Sequence, residues 1–200
     1  MSRGDSRRKV VTAVCLLVTL CMMGMPGTGL HSARAAESDG WLYTLRNGEA
    51  TLTRYMESSV KNVVVPAVID GYPVKTMKGS GASWPMFGRD VENVTLSEGI
   101  EILDLYGLSG DGILSVTLPN SLRAIGQDGV YCPSLKQLNI PAGVEQIYNN
   151  SFSGCLALEA ITVSPDNNHF CSADGVLYTK NKTELIAYPI KKSRYQLCDS

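Results

Sequence analysis

The sequence predicts a mainly β fold, a solenoid of short stacked strands with flanking β-hairpin elements, on three observations. An apolar triplet returns four times, at Val94-Thr95-Leu96, Val116-Thr117-Leu118, Leu138-Asn139-Ile140 and Ile161-Thr162-Val163, with starts 22, 22 and 23 residues apart. A proline follows the middle two triplets, at Pro119 and Pro141. The residues beyond the triplets also repeat: Leu118 matches Ile140, Leu122 matches Val144, Ile125 matches Ile147 and Leu135 matches Leu158. A fixed period of this size marks one small unit copied and stacked, because a single coil cannot bury its own apolar face.

Residues 1–36 stand apart from this pattern. Arg3, Arg7, Arg8 and Lys9 form a basic head, Val10 to Met23 an apolar run, and Ala33-Arg34-Ala35 the small-x-small pattern of a cleavage site. This is a secretory signal peptide, with cleavage expected after Ala35 or Ala36. The run is shorter than the roughly 20 residues that span a bilayer, so no transmembrane segment is expected after cleavage. Leu20 before Cys21 and Val14 before Cys15 also miss the small residue that a lipidation site wants.

The leader carries five of the 18 basic residues and one of the 19 acidic ones, which leaves 13 against 18 and a net charge of −5. A mildly acidic chain gives no support to nucleic-acid binding, which calls for basic patches. Four of the six cysteines remain, Cys132, Cys155, Cys171 and Cys198, in no zinc-like spacing, and one histidine, His169. A single histidine makes both a histidine-ligated metal site and a His-based triad hard to build, and no cofactor is expected.

Each element of the repeat has a physical reason. The triplet is a short strand whose alternate residues point inward. Proline ends it, having no N–H for a ladder. A turn at Asn120-Ser121 or Ala142-Gly143 leads to a second short extended piece ending at Ile125 or Ile147. The stretch through Cys132 or Cys155 then rounds the far side before Leu135 or Leu158 re-enters the core. Val63-Val64-Val65-Pro66 reads as a first copy, 31 residues before Val94, with the excess around Gly79 to Arg89.

These segments, LSVTLPNSLRAIGQDGVYCPSL and LKQLNIPAGVEQIYNNSFSGCLAL, resemble the BspA-like leucine-rich repeat family in apolar spacing, proline, and the Phe152 and Cys155 signature. Ser164 to Lys192, with Asp174-Gly175-Val176-Leu177-Tyr178 at its heart, is similar to that family's intervening hairpin. Trp41 to Tyr55 and Ile69 to Val74 are similar to its opening segment. The resemblance implies a right-handed leucine-rich-repeat solenoid. The expected organisation is a signal peptide over 1–36, an N-terminal hairpin or capping segment over 37–59, and the solenoid over 60–163. A hairpin element follows over 164–192. Tyr195 to Ser200 echoes Val116 to Ser121, so 193–200 is expected to start a further, incomplete repeat.

Candidate sites follow from the geometry a stacked strand imposes. Glu92, Thr95, Thr117, Lys136, Asn139, Glu159 and Thr162 fall on the solvent side of the triplet ladder and form the candidate binding row. A threonine-rich face chosen for strand propensity is the alternative for any one of them. Trp84 and Phe87, with Met86 between them, form either an exposed contact patch or a cluster folded back on the core. Cys132 and Cys155 occupy equivalent positions one coil apart, compatible with a disulfide staple or with a buried pair of thiols. Asp166-Asn167-Asn168 reads as a polar turn rather than a calcium loop. Asp104 and Asp111 could be imagined as a glycosidase pair but lack supporting residues. Sequons begin at Asn93, Asn149 and Asn181.

The resemblance implies a secreted or cell-surface adhesion module that recognises a protein or glycan partner through the solenoid face. A non-catalytic structural spacer of a longer surface protein is the alternative, and a hydrolase the remote one.

Overall fold

The computed structural model describes residues 34–192. Most of the expected signal peptide, Cys198 and the repeat echo at Tyr195 to Ser200 lie outside the described residues. Among those residues the protein is all β, without helix, and winds into a solenoid of about five turns. Along the chain, β1 (Arg34–Ser38), β2 (Trp41–Arg46) and β3 (Glu49–Tyr55) form an antiparallel meander. The first coil holds β4 (Asn62–Val65) and the hairpin of β5 (Val68–Ile69) and β6 (Tyr72–Met77). The second holds β7 (Asn93–Leu96), β8 (Ile102–Leu103) and β9 (Leu108–Ser109). The third holds β10 (Ser115–Thr117), β11 (Ala124–Ile125) and β12 (Val130–Tyr131). The fourth holds β13 (Gln137–Ile140) and β14 (Gln146–Ile147), and β15 (Ala160–Val163) opens the fifth. A second antiparallel meander, β16 (Phe170–Ala173), β17 (Val176–Thr179) and β18 (Leu185–Ala187), follows.

The period becomes register. On one side the triplets stack in parallel, Val63 on Val94 on Val116 and, separately, Leu138 on Ile161. On a second side Met77, Leu103, Ile125 and Ile147 form a continuous parallel ladder, which β3 extends by pairing with β6. A third side is shorter, Leu108 on Val130. Most inward residues of the coils are buried, Val65, Leu103, Leu108, Leu122, Ile125, Ile140 and Val144 among them. Each such burial contributes roughly 1.5–3 kcal/mol. The prolines act as turn starters: Leu122 N–H donates to the Pro119 carbonyl at 3.2 Å and Val144 N–H to that of Pro141 at 3.4 Å.

The first ladder is interrupted: β10 pairs with β7 but not with β13. Val116 and Leu118 are accordingly only half-buried, where Val94, Leu96, Leu138 and Ile140 are buried. The excess from Gly79 to Arg89 is a loop without strands, and it closes the first coil. Phe87 N–H donates to the Ser109 carbonyl at 3.0 Å, and Tyr55 N–H to that of Met86 at 2.9 Å.

The tight hairpin turns share one chemistry. Asp39-Gly40, Asn47-Gly48, Asp70-Gly71 and Asp174-Gly175 all have positive φ at both residues, the conformation that suits the twist of two-residue hairpins and favours these pairs. The last of them docks on the fifth coil, its Gly175 carbonyl accepting the Ile161 N–H at 2.8 Å. Asn167, wholly inaccessible to solvent, ties the same region to the fourth coil. Its amide donates to the Pro141 and Val144 carbonyls, both at 2.9 Å, and its oxygen accepts the His169 and Phe170 N–H groups at 2.8 and 2.7 Å. The polar turn expected there is therefore built around a buried amide, because four backbone groups at the coil's end need partners.

Candidate binding face

The outward residues of the triplet ladder follow from the alternation of a strand, and in-register pairing lines them up. Thr95 lies beside Val64 on one side and Thr117 on the other. Across the interruption Asn139 lies beside Thr162, whose hydroxyl donates to the Asn139 side-chain oxygen at 3.1 Å. All five are exposed. A second column, two residues earlier on each strand, places Asn62 beside Asn93 and Asn93 beside Ser115. The Asn93 amide donates to Asn62 Oδ1 at 2.8 Å. Neighbours within a column stand about 4.8 Å apart, the spacing of paired strands.

Charged residues edge this surface. Lys61 meets Glu92 at 2.7 Å, and that hydrogen bond, with the Glu92 charge, raises the Lys61 ammonium above its ordinary value. Lys136 stands 4.0 Å from Glu159, with both side chains largely in solvent. Between these pairs Leu114 is exposed, as is Val64 on the adjoining column. The face therefore combines hydroxyl, amide, apolar and charged groups. The second column and the two exposed aliphatic residues escaped the sequence reading. Carrying the strand alternation two residues back from Thr95, Thr117 and Asn139 finds Asn93, Ser115 and Gln137.

Trp84 and Phe87 part company. Phe87 is fully buried and meets Trp41 edge-on, with ring centroids 5.7 Å apart at 87°. Of the two alternatives for this cluster, Phe87 follows the second: it is folded back on the core, where its ring seals the first coil. Met86 is buried with it. Trp84 is 61% exposed, with the Arg54 guanidinium 5.0 Å from its ring centroid.

Cys132 and Cys155 are free and buried, each in the same place in its coil. Their thiols donate to the Leu108 and Val130 carbonyls at 3.5 and 3.4 Å. Burial pushes the Cys132 thiol well above its ordinary value, helped by the neighbouring Cys155, and pushes Cys155 up to about 11. In that state they fill core space and are poor nucleophiles.

Asp104 and Asp111 are engaged in ion pairs, with Lys78 at 2.8 Å and Arg89 at 3.7 Å. Burial pushes the Asp104 carboxyl up, but the Lys78 and Leu105 N–H hydrogen bonds outweigh it and hold the group below its ordinary value. It stays ionised where a general acid would need a proton. Among the described residues, no three His, Cys, Asp or Glu side chains come together as a metal site, and no helix is long and apolar enough to cross a membrane.

Comparison with known proteins finds a repeat-family match and distant structural neighbours. Residues 87–174 match the model of the BspA type leucine rich repeat region, in six copies. No curated protein matches the chain. Among solved structures, a leucine rich cell surface protein from Faecalibacterium prausnitzii is 22% identical, over 82% of this chain and 63% of that one, with a TM-score of 0.36. A leucine-rich repeat protein from Eubacterium ventriosum is 18% identical, over 82% and 52%, with a TM-score of 0.47. The T. pallidum leucine rich repeat protein is 22% identical, over 64% and 71%, with a TM-score of 0.42. The chain thus spans less than two thirds of the length of the first two.

Proposed function

This chain carries a BspA type leucine rich repeat region, and from that premise we propose that it is a secreted or cell-surface binding module. It recognises a protein partner through the triplet face. The single observation that carries the reading is the in-register exposure of Val64, Thr95 and Thr117, then Asn139 and Thr162, on consecutive coils. A rigid sheet presents these groups without an ordering cost at the moment of binding, which favours affinity. The mixture of amides, hydroxyls and aliphatic side chains suits an extended polypeptide, and the Lys61–Glu92 and Lys136–Glu159 pairs at its edge supply orientation. The leader, with its basic head and Ala33-Arg34-Ala35, supports export.

The test is retention of the purified protein on immobilised extracellular-matrix proteins and glycans, read by surface plasmon resonance. At least one protein ligand should be retained, and K136E with E159K should weaken retention about tenfold, as rim charges do through the association rate. No retention on any surface would leave the spacer reading; retention unchanged by the reversals would place the contact elsewhere.

A further inference from the structure

Closing the first coil with residues 79–91 leaves a cleft of about 230 Å³ against β3. Its apolar floor is the half-buried Tyr55 ring, backed by the buried Phe87 with ring centroids 6.2 Å apart. Two cations, Arg54 and Arg89, and two anions, Glu57 and Asp90, line it. Asp90 accepts the Ser59 N–H at 3.3 Å and Arg89 reaches Asp111 at 3.7 Å, which leaves most of their hydrogen-bonding capacity unused. Arg54 also lies over the ring of Trp84, which is exposed and precedes Pro85, another residue of the lining.

This combination narrows the ligand. Balanced charge selects neither an anion nor a cation. An apolar ligand would have to desolvate four charged groups without returning a hydrogen bond to any of them. The volume lies below the ~300–1,000 Å³ of sites that enclose a whole small molecule, and so suits one unit of a longer chain. A pyranose ring meets all three conditions: it is neutral, its rim of hydroxyls both donates and accepts, and its C–H faces are apolar. We propose that this cleft binds one neutral pyranose unit of a polysaccharide. Arg54, Glu57, Arg89 and Asp90 hydrogen-bond its hydroxyls, and the exposed ring of Trp84 stacks on the neighbouring unit. The site is separate from the triplet face, so neither proposal rests on the other.

The chain has two tryptophans, which makes the test direct: Trp41 is 2% exposed and Trp84 61%. Fluorescence of the full protein is titrated with maltotetraose, cellotetraose, chitotetraose and mannotetraose, with tetragalacturonate as the anionic comparison. At least one neutral tetrasaccharide should give a saturable blue shift of the exposed tryptophan. By calorimetry, W84A and D90N should each weaken that binding about tenfold, while K136E with E159K leaves it unchanged. Near-UV circular dichroism identical to the parent's shows that W84A and D90N remain folded. No saturable response to any neutral sugar, a response to tetragalacturonate alone, or full binding by folded W84A and D90N would each overturn the proposal.

Discussion

Replacing Asn167 by alanine tests how the solenoid is held to the element that follows it. The side chain is wholly buried and makes four hydrogen bonds, at 2.7–2.9 Å, to Pro141, Val144, His169 and Phe170. At about 1 kcal/mol net for each, the loss is about 4 kcal/mol, a large part of the ~5–15 kcal/mol that a domain has to spare. With a urea slope of about 2 kcal/mol/M, the unfolding midpoint should fall by about 2 M. N167D sharpens the test. It keeps the two accepted bonds but turns a carboxylate oxygen toward two carbonyl oxygens, so at pH 7 it should be at least as damaging. Repulsion and burial raise the folded-state pKa of the new carboxyl above its unfolded value. The defect should therefore be full above the folded-state pKa and relieved as pH falls through it toward the unfolded value, where the protonated acid can donate again. Urea titrations followed by far-UV circular dichroism at pH 7 and pH 4.5 read both effects. A midpoint for N167A within 0.5 M (about 1 kcal/mol) of the parent, or N167D as stable as the parent at pH 7, would refute the reasoning.

Three further outcomes follow from the same geometry. F87A should cost about 3–5 kcal/mol by thermal denaturation and W84A no more than about 0.5, because one ring is core and the other surface; equal costs would contradict that division. G143A should destabilise by about 1–3 kcal/mol, because a Cβ there would collide with the Asn120 carbonyl oxygen; a neutral result would show that the two turns are not in contact. The raised thiols of Cys132 and Cys155 favour the protonated form in the fold, so their contribution is full below the unfolded thiol value and is lost as pH rises toward about 11. The melting temperature of the parent should therefore drop more steeply between pH 8.5 and 10.5 than that of C132A/C155A, and parallel curves would count against it.

How much of this was legible in the sequence depended on whether a residue's role was local. The inward positions Val94, Leu96, Leu138 and Ile140 declare themselves, since every coil needs them and the period repeats them. The outward row came with them, because alternation on a strand fixes both faces at once. Asn167 did not, as a polar triplet reads as a turn until the carbonyls of Pro141 and Val144, more than twenty residues back, are brought against it. The same holds for the division of Trp84 from Phe87, decided by Ser109 and Trp41 from other parts of the chain. The interruption between β10 and β13 leaves no mark in the triplets, whose apolar residues match on both sides of it. One signal was present and local: Asp39-Gly40, Asn47-Gly48, Asp70-Gly71 and Asp174-Gly175 mark the four two-residue hairpin turns.

The central claim, that consecutive triplets stack in register with Thr95 beside Thr117 on one exposed face, is tested most directly by paired cysteines. Parallel neighbours about 4.8 Å apart fall within the Cα range of a disulfide. Oxidation of T95C/T117C should therefore give a near-quantitative intramolecular bond by peptide mass spectrometry, while T95C/L118C, one residue out of register and on opposite faces, should give none. Equal yields from the two pairs, or a bond in the second alone, would contradict the stacking on which the binding face depends.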